Sequence, residues 1–320
     1  MSICITGAAG FIGGAIASAL LDKSQHVIGV DNLSASLTNP NVLSRWTQLQ
    51  ARQNFVAIQL DIRNPNLLDS LQKAQSEAGS IQTLIHLAAK PGVRDSHLHH
   101  REYNSNNIDG TREVLNVADK LGIREVIFAS SSCVYGGAKM PFVEVHPNKL
   151  DDAVSHYGWT KIQGELLVAS WAESIPHAKA VVLRLFSVYG KNMRPDLAIS
   201  IFQNHLLRGT SAPIYGEGRD TRDYTYIADV VSAVMLTLSN IQKLESNFSY
   251  FNIGCGKATS TKELLAMVGR ELNCDARCHH WPRKEEEMTG TLASTMKAAN
   301  QLNFRAKRSL NDGLRAMFEV

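Results

Sequence analysis

Ile3-Cys4-Ile5-Thr6 runs directly into Gly7-Ala8-Ala9-Gly10-Phe11-Ile12-Gly13, and Ala15 to Leu21 follows with the composition of a helix. A short β-branched run, glycines at every third position and an amphipathic stretch together spell strand, tight turn and helix. Gly7 permits the turn, Gly10 lets backbone N–H groups approach a pyrophosphate, and Gly13 lets the helix pack close to the strand. A second apolar run, His26 to Val30, ends at Asp31. A carboxylate at that distance accepts the ribose 2′-hydroxyl of a dinucleotide and repels a 2′-phosphate, so the expected cofactor is NAD and not NADP. The residues expected to hold it here are Gly7, Gly10, Phe11, Ile12, Gly13 and Asp31.

Outward from this unit, Phe55 to Leu60, Leu84 to Ala88, Val126 to Ser130 and Ala180 to Phe186 are short and β-branched-rich, and helix-like stretches separate most of them. That alternation predicts an α/β protein with a Rossmann-type, doubly wound parallel sheet. Beyond Gly190 the pattern loosens into short elements punctuated by Gly and Pro, which predicts a smaller, irregular α/β C-terminal lobe. The expected division is residues 1–190 for the dinucleotide and 191–320 mainly for the substrate. Of the 320 residues 44% are hydrophobic and 20% charged, with a formal charge of +3. No run of five or six like charges occurs, so nucleic acid and anionic membrane are poor partners. The chain opens with no basic segment before an apolar one, and no apolar run reaches membrane-span length, so a cytoplasmic protein is expected. Cysteines at 4, 133, 255, 274 and 278 do not resemble a disulfide framework. Cys274 and Cys278, followed by His279 and His280, lack a second ligand pair at a zinc-site spacing, so no metal is expected.

Two tyrosines have a lysine four residues later, Tyr135 with Lys139 and Tyr157 with Lys161. Tyr135 leads into Gly136-Gly137, which cannot sustain a helix, whereas His156 to Ile175 reads as one continuous helix. Only Tyr157 and Lys161 therefore share a helix face, where an ammonium lowers a phenol pKa towards working pH. Ser131 falls at the C-terminal end of the strand Val126 to Ser130, the edge at which open α/β sheets bind ligands. Ser131, Tyr157 and Lys161 are the expected catalytic residues.

With these motifs the chain resembles the extended short-chain dehydrogenase/reductases, in their NAD-dependent epimerase/dehydratase branch. The likeness runs through Asp31-Asn32-Leu33, Leu60-Asp61-Ile62, His86-Leu87-Ala88-Ala89, Asn107-Ile108-Asp109-Gly110-Thr111, Ser130-Ser131-Ser132-Cys133-Val134-Tyr135-Gly136 and Tyr157-Gly158-Trp159-Thr160-Lys161. The resemblance implies that Asn32, Asp61 and Ile62 border the adenosine, that Leu87, Ala88 and Ala89 lie along the dinucleotide, and that Asn107 supports the site. It also picks Ser131 over Ser130 and Ser132 as the catalytic hydroxyl. Dehydratases of this branch carry an Asp-Glu pair just after the catalytic hydroxyl, and the decarboxylases that make UDP-xylose a Glu. Ser132 and Cys133 stand there instead and cannot act as acid and base for elimination. Reversible oxidation without elimination remains, which is epimerisation.

Gly92-Val93-Arg94-Asp95-Ser96, Ser187-Val188-Tyr189-Gly190 and Met193-Arg194-Pro195-Asp196-Leu197 resemble UDP-glucuronate 4-epimerases most closely, though UDP-glucose 4-epimerases share parts of the set. The substrate residues so implied are Arg94, Ser130, Ser132, Ser187, Arg194, Arg222 and Glu287. Arg222, in Arg222-Asp223-Tyr224, supplies a planar fork for a diphosphate. Glu287 replaces an aspartate that holds the uridine ribose in relatives. Thr291 stands where a bulky Tyr excludes N-acetyl groups in some of them, so a UDP-N-acetylhexosamine remains open. Relatives dimerise through two long helices per subunit, here Asn107 to Leu121 and His156 to Ile175, which implies a homodimer. The competing readings are a nucleotide-sugar dehydrogenase or reductase that releases NADH, and a non-catalytic NAD-binding regulator. The intact Ser131, Tyr157 and Lys161 argue against the regulator.

Overall fold

The structure, a computed structural model, describes residues 1–144, 153–283 and 287–319. Seven parallel strands form the central sheet: β1 (Ser2–Thr6), β2 (His26–Asp31), β3 (Phe55–Gln59), β4 (Ile81–His86), β5 (Glu125–Ser131), β6 (Lys179–Leu185) and a strand from much later in the chain, Phe248–Ile253. Their spatial order is β3-β2-β1-β4-β5-β6 followed by Phe248–Ile253. All six pairings are parallel. The order reverses between β1 and β4, and the crevice outside that switch point is where such sheets take ligands.

Helices cover both faces, as a sheet buried on two sides requires. On one face lie α1 (Phe11–Asp22) and α2 (Asn41–Gln50), where Ile16, Leu20, Trp46 and Leu49 meet Ile5, Ile85 and Ile127 of the strands. On the other lie α3 (Leu67–Ala78), α5 (Gly110–Lys120) and α6 (His156–Ser174), where Leu71, Leu115 and Val168 meet Cys4, Ile28 and Val126. The period of two along each strand sorts its side chains between these cores. A short helix α4 (His100–Asn104) precedes α5, and between them Ser105–Asp109 forms a wide π-turn. The helix expected over Asn107 to Leu121 thus begins earlier and carries an inserted residue's worth of slack at Asn107, a common device at functional sites.

The second lobe holds β7 (Ser187–Tyr189), α7 (Ala198–Leu207), β8 (Ala212–Tyr215), β9 (Thr221–Tyr226), α8 (Ile227–Asn240), β10 (Phe248–Ile253), β11 (Ala258–Ser260), α9 (Thr261–Glu271), β12 (Cys278–Trp281), α10 (Met296–Leu302) and α11 (Leu310–Phe318) in chain order. Of these, β10 is the outer strand of the central sheet, and α8 and α10 pack on its α1 face through Val230, Ala233 and Leu302. The expected division at residue 190 is therefore crossed: sequence beyond it returns to finish the first lobe. What remains has its own core, with Phe202, Ile214, Leu264, Val268 and Leu314 packed around Tyr189 and Tyr224. The second lobe begins at the carboxyl edge of the sheet, where β6 runs into β7.

Candidate active site

At the end of β1, Gly7 adopts φ +74°, and a Cβ there would stand 2.8 Å from the Ala88 nitrogen. A Cβ on Gly13 would stand 2.1 Å from the Gly7 carbonyl oxygen, so the helix is seated directly on the turn. The Asp31 carboxylate accepts from the Ala9 nitrogen (2.9 Å) and the Leu33 nitrogen (2.8 Å), which ties the end of β2 to the glycine turn. Burial raises the Asp31 pKa, and those two N–H groups and Arg45 oppose the rise. Asn32 donates to Asp61 at 2.8 Å, and the Arg63 fork holds the Asp61 carboxyl well below the usual carboxylate range. Ile62 packs under Gly110 at the start of α5. Gly10, Phe11 and Ile12 open α1, while Leu87, Ala88 and Ala89 follow β4 directly. A cradle that any side chain at Gly7 or Gly13 would fill, rimmed by a carboxylate, fits a dinucleotide.

Sequence reasoning passed over Arg45 on α2. Its guanidinium donates to the Ala9 carbonyl (2.5 Å) and the Asn192 carbonyl (3.2 Å), bridging the glycine turn to the second lobe. No motif marks it, since only the tertiary approach of α2 to Gly14 brings it there.

Ser131 ends β5 in extended conformation, and its hydroxyl accepts from the Cys133 nitrogen at 3.2 Å, starting a 3-10 turn over Ser132–Tyr135. Ser155 caps α6 by accepting from the Gly158 nitrogen, so the helix starts at the residue before Tyr157. Gly158 is required there, because a Cβ would lie 2.7 Å from the Cys133 carbonyl oxygen. These constraints press the first turn of α6 onto the end of β5 and bring Tyr157 to Ser131. Lys161 lies one turn on, its Nζ 6.0 Å from the Tyr157 ring centre and donating to the Ala129 carbonyl at 2.8 Å. Burial lowers the Lys161 pKa to about 8 against the opposing pull of Glu165 and Cys133. Burial also drives the Tyr157 phenol well above its ordinary value, with Arg194 and Ser131 the largest influences downward.

Across the cleft, Arg94 pairs with Glu287 at 2.5 Å and lies 4.9 Å over the Tyr215 ring, while Arg222 reaches the same carboxylate at 3.6 Å. Arg283 donates to the Glu287 carbonyl at 2.7 Å. The structure thus collects Arg94, Arg222 and Glu287 from three distant segments, with more positive than negative charge, as a diphosphate needs. Tyr215 is a member of this group that sequence reasoning did not single out. Arg194 pairs with Asp196 through Nε (3.0 Å) and Nη2 (2.5 Å) and lies close to Gly92. Ser187 opens β7 opposite Tyr224 of β9. The Thr291 hydroxyl is buried and accepts from the Asp223 nitrogen at 3.2 Å.

One expectation is corrected. Ser130 does not face the cleft: its hydroxyl is buried and donates to Glu165 Oε1 at 2.5 Å, behind β5. Adjacent strand residues point to opposite faces, so only one of Ser130 and Ser131 reaches the substrate side. Glu165 is held further by Arg184 through Nε (2.9 Å) and Nη2 (2.7 Å). Tyr135, the rejected tyrosine, is also buried, and its hydroxyl donates to Asn252 at 2.6 Å. Asn107 donates to the Lys90 carbonyl (3.1 Å) and Thr160 (3.0 Å) and accepts from the Lys90 nitrogen (2.7 Å), joining the segment after β4 to α6. Among the described residues, no three His, Cys, Asp or Glu side chains gather as a metal set.

The model of the NAD dependent epimerase/dehydratase family matches residues 3–254. A UDP-glucuronate 4-epimerase of Thermodesulfobacterium geofontis is 31% identical over 312 residues, covering 97% of this chain and 93% of that protein. The crystal structure of UDP-glucuronic acid 4-epimerase from Bacillus cereus in complex with UDP-glucuronic acid and NAD superposes with a TM-score of 0.88 at 31% identity, covering 99% of this chain and 98% of that one. A UDP-N-acetylglucosamine 4-epimerase from Methanobrevibacter ruminantium in complex with UDP-N-acetylmuramic acid reaches 0.84 at 26% identity, covering 99% and 96%. With a glycine-cradled dinucleotide fold, a Ser, Tyr and Lys at the sheet edge and a family match across most of its length, the chain belongs to the NAD-dependent epimerase/dehydratase family.

Proposed function

We propose that this protein is an NAD-dependent UDP-sugar 4-epimerase, an isomerase acting on a UDP-hexose or UDP-hexuronate. The observation that carries this reading is the convergence of Ser131, Tyr157 and Lys161 between a dinucleotide cradle and the arginines around Glu287. Gly7, Gly10, Gly13, Asp31 and the Leu87 to Ala89 segment would hold NAD, which when bound supplies the acceptor, and then the donor, of the sugar C4 hydride. Tyr157 takes the proton of the 4-hydroxyl and later returns it. Ser131 hydrogen-bonds the same oxygen, and Lys161 and Arg194 bring positive charge towards the phenol. The 4-keto sugar turns between these two events, held by its diphosphate on Arg94 and Arg222. Residues up to about 190, completed by α8, β10 and α10, serve the cofactor, and the second lobe serves the nucleotide sugar. A cytoplasmic homodimer through α5 and α6 fits this assignment.

Incubation with UDP-glucuronate, UDP-glucose and UDP-N-acetylglucosamine, followed by chromatographic separation of the epimers, tests the function. Epimer formation without net NADH is expected; stoichiometric NADH would instead favour a dehydrogenase. Asp31→Ala is expected to weaken NAD binding and narrow its advantage over NADP, because the carboxylate both accepts from the ribose and repels a phosphate. Titrating both cofactors measures this, and an unchanged affinity ratio would remove Asp31 from the ribose.

We infer UDP-glucuronate as the preferred sugar from Arg194, whose guanidinium lies near Gly92 and acts on Tyr157. Released from Asp196, it reaches a C6 carboxylate. A charge-assisted hydrogen bond contributes roughly 1.5–3 kcal/mol. Arg194→Ala is therefore expected to lower kcat/KM for UDP-glucuronate about tenfold or more beyond the loss it shares with UDP-glucose through the phenol. Equal losses on both substrates would count against the acidic sugar.

A further inference from the structure

Beneath the cleft, polar groups from four separate segments are linked through His86 and Asn107. The Ala88 nitrogen donates to the Thr6 hydroxyl at 3.3 Å, and that hydroxyl lies 2.6 Å from His86 Nδ1. On the other side of the ring, Nε2 lies 3.0 Å from the Thr111 hydroxyl, which donates to the Asn107 carbonyl at 2.6 Å. The Asn107 amide donates to Thr160 at 3.0 Å, and the Thr160 hydroxyl donates to the Tyr157 carbonyl at 2.8 Å. His86 is 1% exposed, at the end of a strand whose neighbours Leu84 and Ile85 are apolar. A buried imidazole in such a place is costly unless both nitrogens are satisfied.

We propose that His86 is a positioning residue that links the seat of the dinucleotide to the helix bearing Tyr157. The direction of every bond follows from the two ends. The Thr111 proton is committed to the Asn107 carbonyl, so Thr111 accepts from Nε2–H. The neutral ring then has Nδ1 as acceptor, and Thr6 must donate to it while accepting from Ala88. Burial and the nearby Lys161 ammonium both oppose a second ring proton. From Ala88 to the Asn107 carbonyl one proton arrangement satisfies every group, and reversing the ring leaves the Thr6 hydroxyl proton without an acceptor; the Asn107 side chain, held by Lys90, carries the link on to Thr160. At one end Ala88 abuts Gly7, where the cradle is tightest. At the other, Thr160 fixes the backbone of Tyr157, and the slack of the π-turn at Asn107 lets the middle of the run meet both. Asn107 therefore ties the imidazole, and through it the seat of the dinucleotide, to the backbone of Tyr157.

The inference rests on the epimerase reading for its kinetic arm alone. Thr6→Val and Thr111→Val each delete one hydroxyl on opposite sides of the ring and do not touch each other. Each is expected to lower kcat at saturating NAD about tenfold, the cost of a buried group left unpaired. The double variant should fall little further, because either deletion already breaks the run. Serine in place of either threonine keeps the hydroxyl and should recover most of the loss, and thermal denaturation identifies any variant that has simply unfolded. Losses that multiply to about a hundredfold, or no recovery by serine, would overturn the proposal. The second arm needs no turnover: 15N resonances of His86 should show a neutral Nε2–H ring from pH 5 to 9 whose shifts move when NAD is added. A ring that titrates in that range, the other tautomer, or indifference to NAD overturns it. A wild-type protein inert towards every UDP-sugar would sink the function assigned above, leaving the resonances to decide the role of His86.

Discussion

Tyr157→Phe is expected to retain the fold and bind NAD with near-native affinity while losing turnover by roughly 10²–10⁴-fold, the usual contribution of a positioned general acid and base. The substitution removes one oxygen from a half-buried residue. Its edge-on packing against Tyr103, 6.4 Å between centres, and its place in the first turn of α6 do not depend on that oxygen. The chemistry does, because Tyr157 is the phenol that stands beside Ser131. Cys133 is close, but burial raises its thiol pKa, and it is a poor base near neutrality. Epimer formation at saturating UDP-sugar is the assay, with NAD titration as the control. Activity within a few-fold of the native protein would end the assignment of Tyr157.

The largest stability effect is expected at Arg184, which the mechanism does not use. Arg184 and Glu165 form an ion pair whose side chains are 1% and 8% exposed. The guanidinium also lies between the rings of Tyr135 (4.9 Å) and Tyr250 (4.6 Å). Desolvating two charges costs nearly as much as their attraction returns, so the pair itself adds little net stability. Removing one partner is different. Arg184→Met strands the buried Glu165 carboxylate without its ion-pair partner, leaving the Ser130 hydroxyl and the more distant Lys161 ammonium, and about 3–5 kcal/mol should be lost. Urea denaturation measures it, and Glu165→Leu in the same background should return most of the loss by removing the orphaned charge. A loss below about 1 kcal/mol, the surface-pair range, would mean that water reaches the site.

Much of this was legible in the sequence because its signals are local. Gly13 needs glycine for its contact with the Gly7 carbonyl six residues before it, and Tyr157 and Lys161 announce a shared face by their spacing within a continuous helical run, which Gly136-Gly137 denies to Tyr135 and Lys139. The failures are equally physical. Ser130 and Ser131 are chemically identical in sequence, and only the pleat of β5, fixed by its neighbours, decides which one faces the cleft. Arg45, Tyr215 and the pairing of Arg94 with Glu287, 193 positions apart, arise from tertiary approach and leave no spacing to find. The π-turn at Ser105–Asp109 is invisible to a period of 3.6, since its apolar pattern resumes on the far side. Phe248–Ile253 carries strand-like residues but sits within the irregular half, so membership of the central sheet could not be read from its surroundings.

That late strand has a consequence for how the chain is made. Until β10 emerges, about 60 residues after β6, the outer edge of β6 has no partner and shows its unpaired N–H and C=O groups. At translation rates of about 5–20 residues per second, that edge waits for several seconds on the ribosome. The run Ala180-Val181-Val182-Leu183 lies on it, apolar and β-branched, the composition that seeds edge-to-edge association. A nascent chain released early, or a gene cut at the visible change of pattern near residue 190, would leave that edge permanently open. Its fate would be aggregation, although every motif for the dinucleotide would be intact.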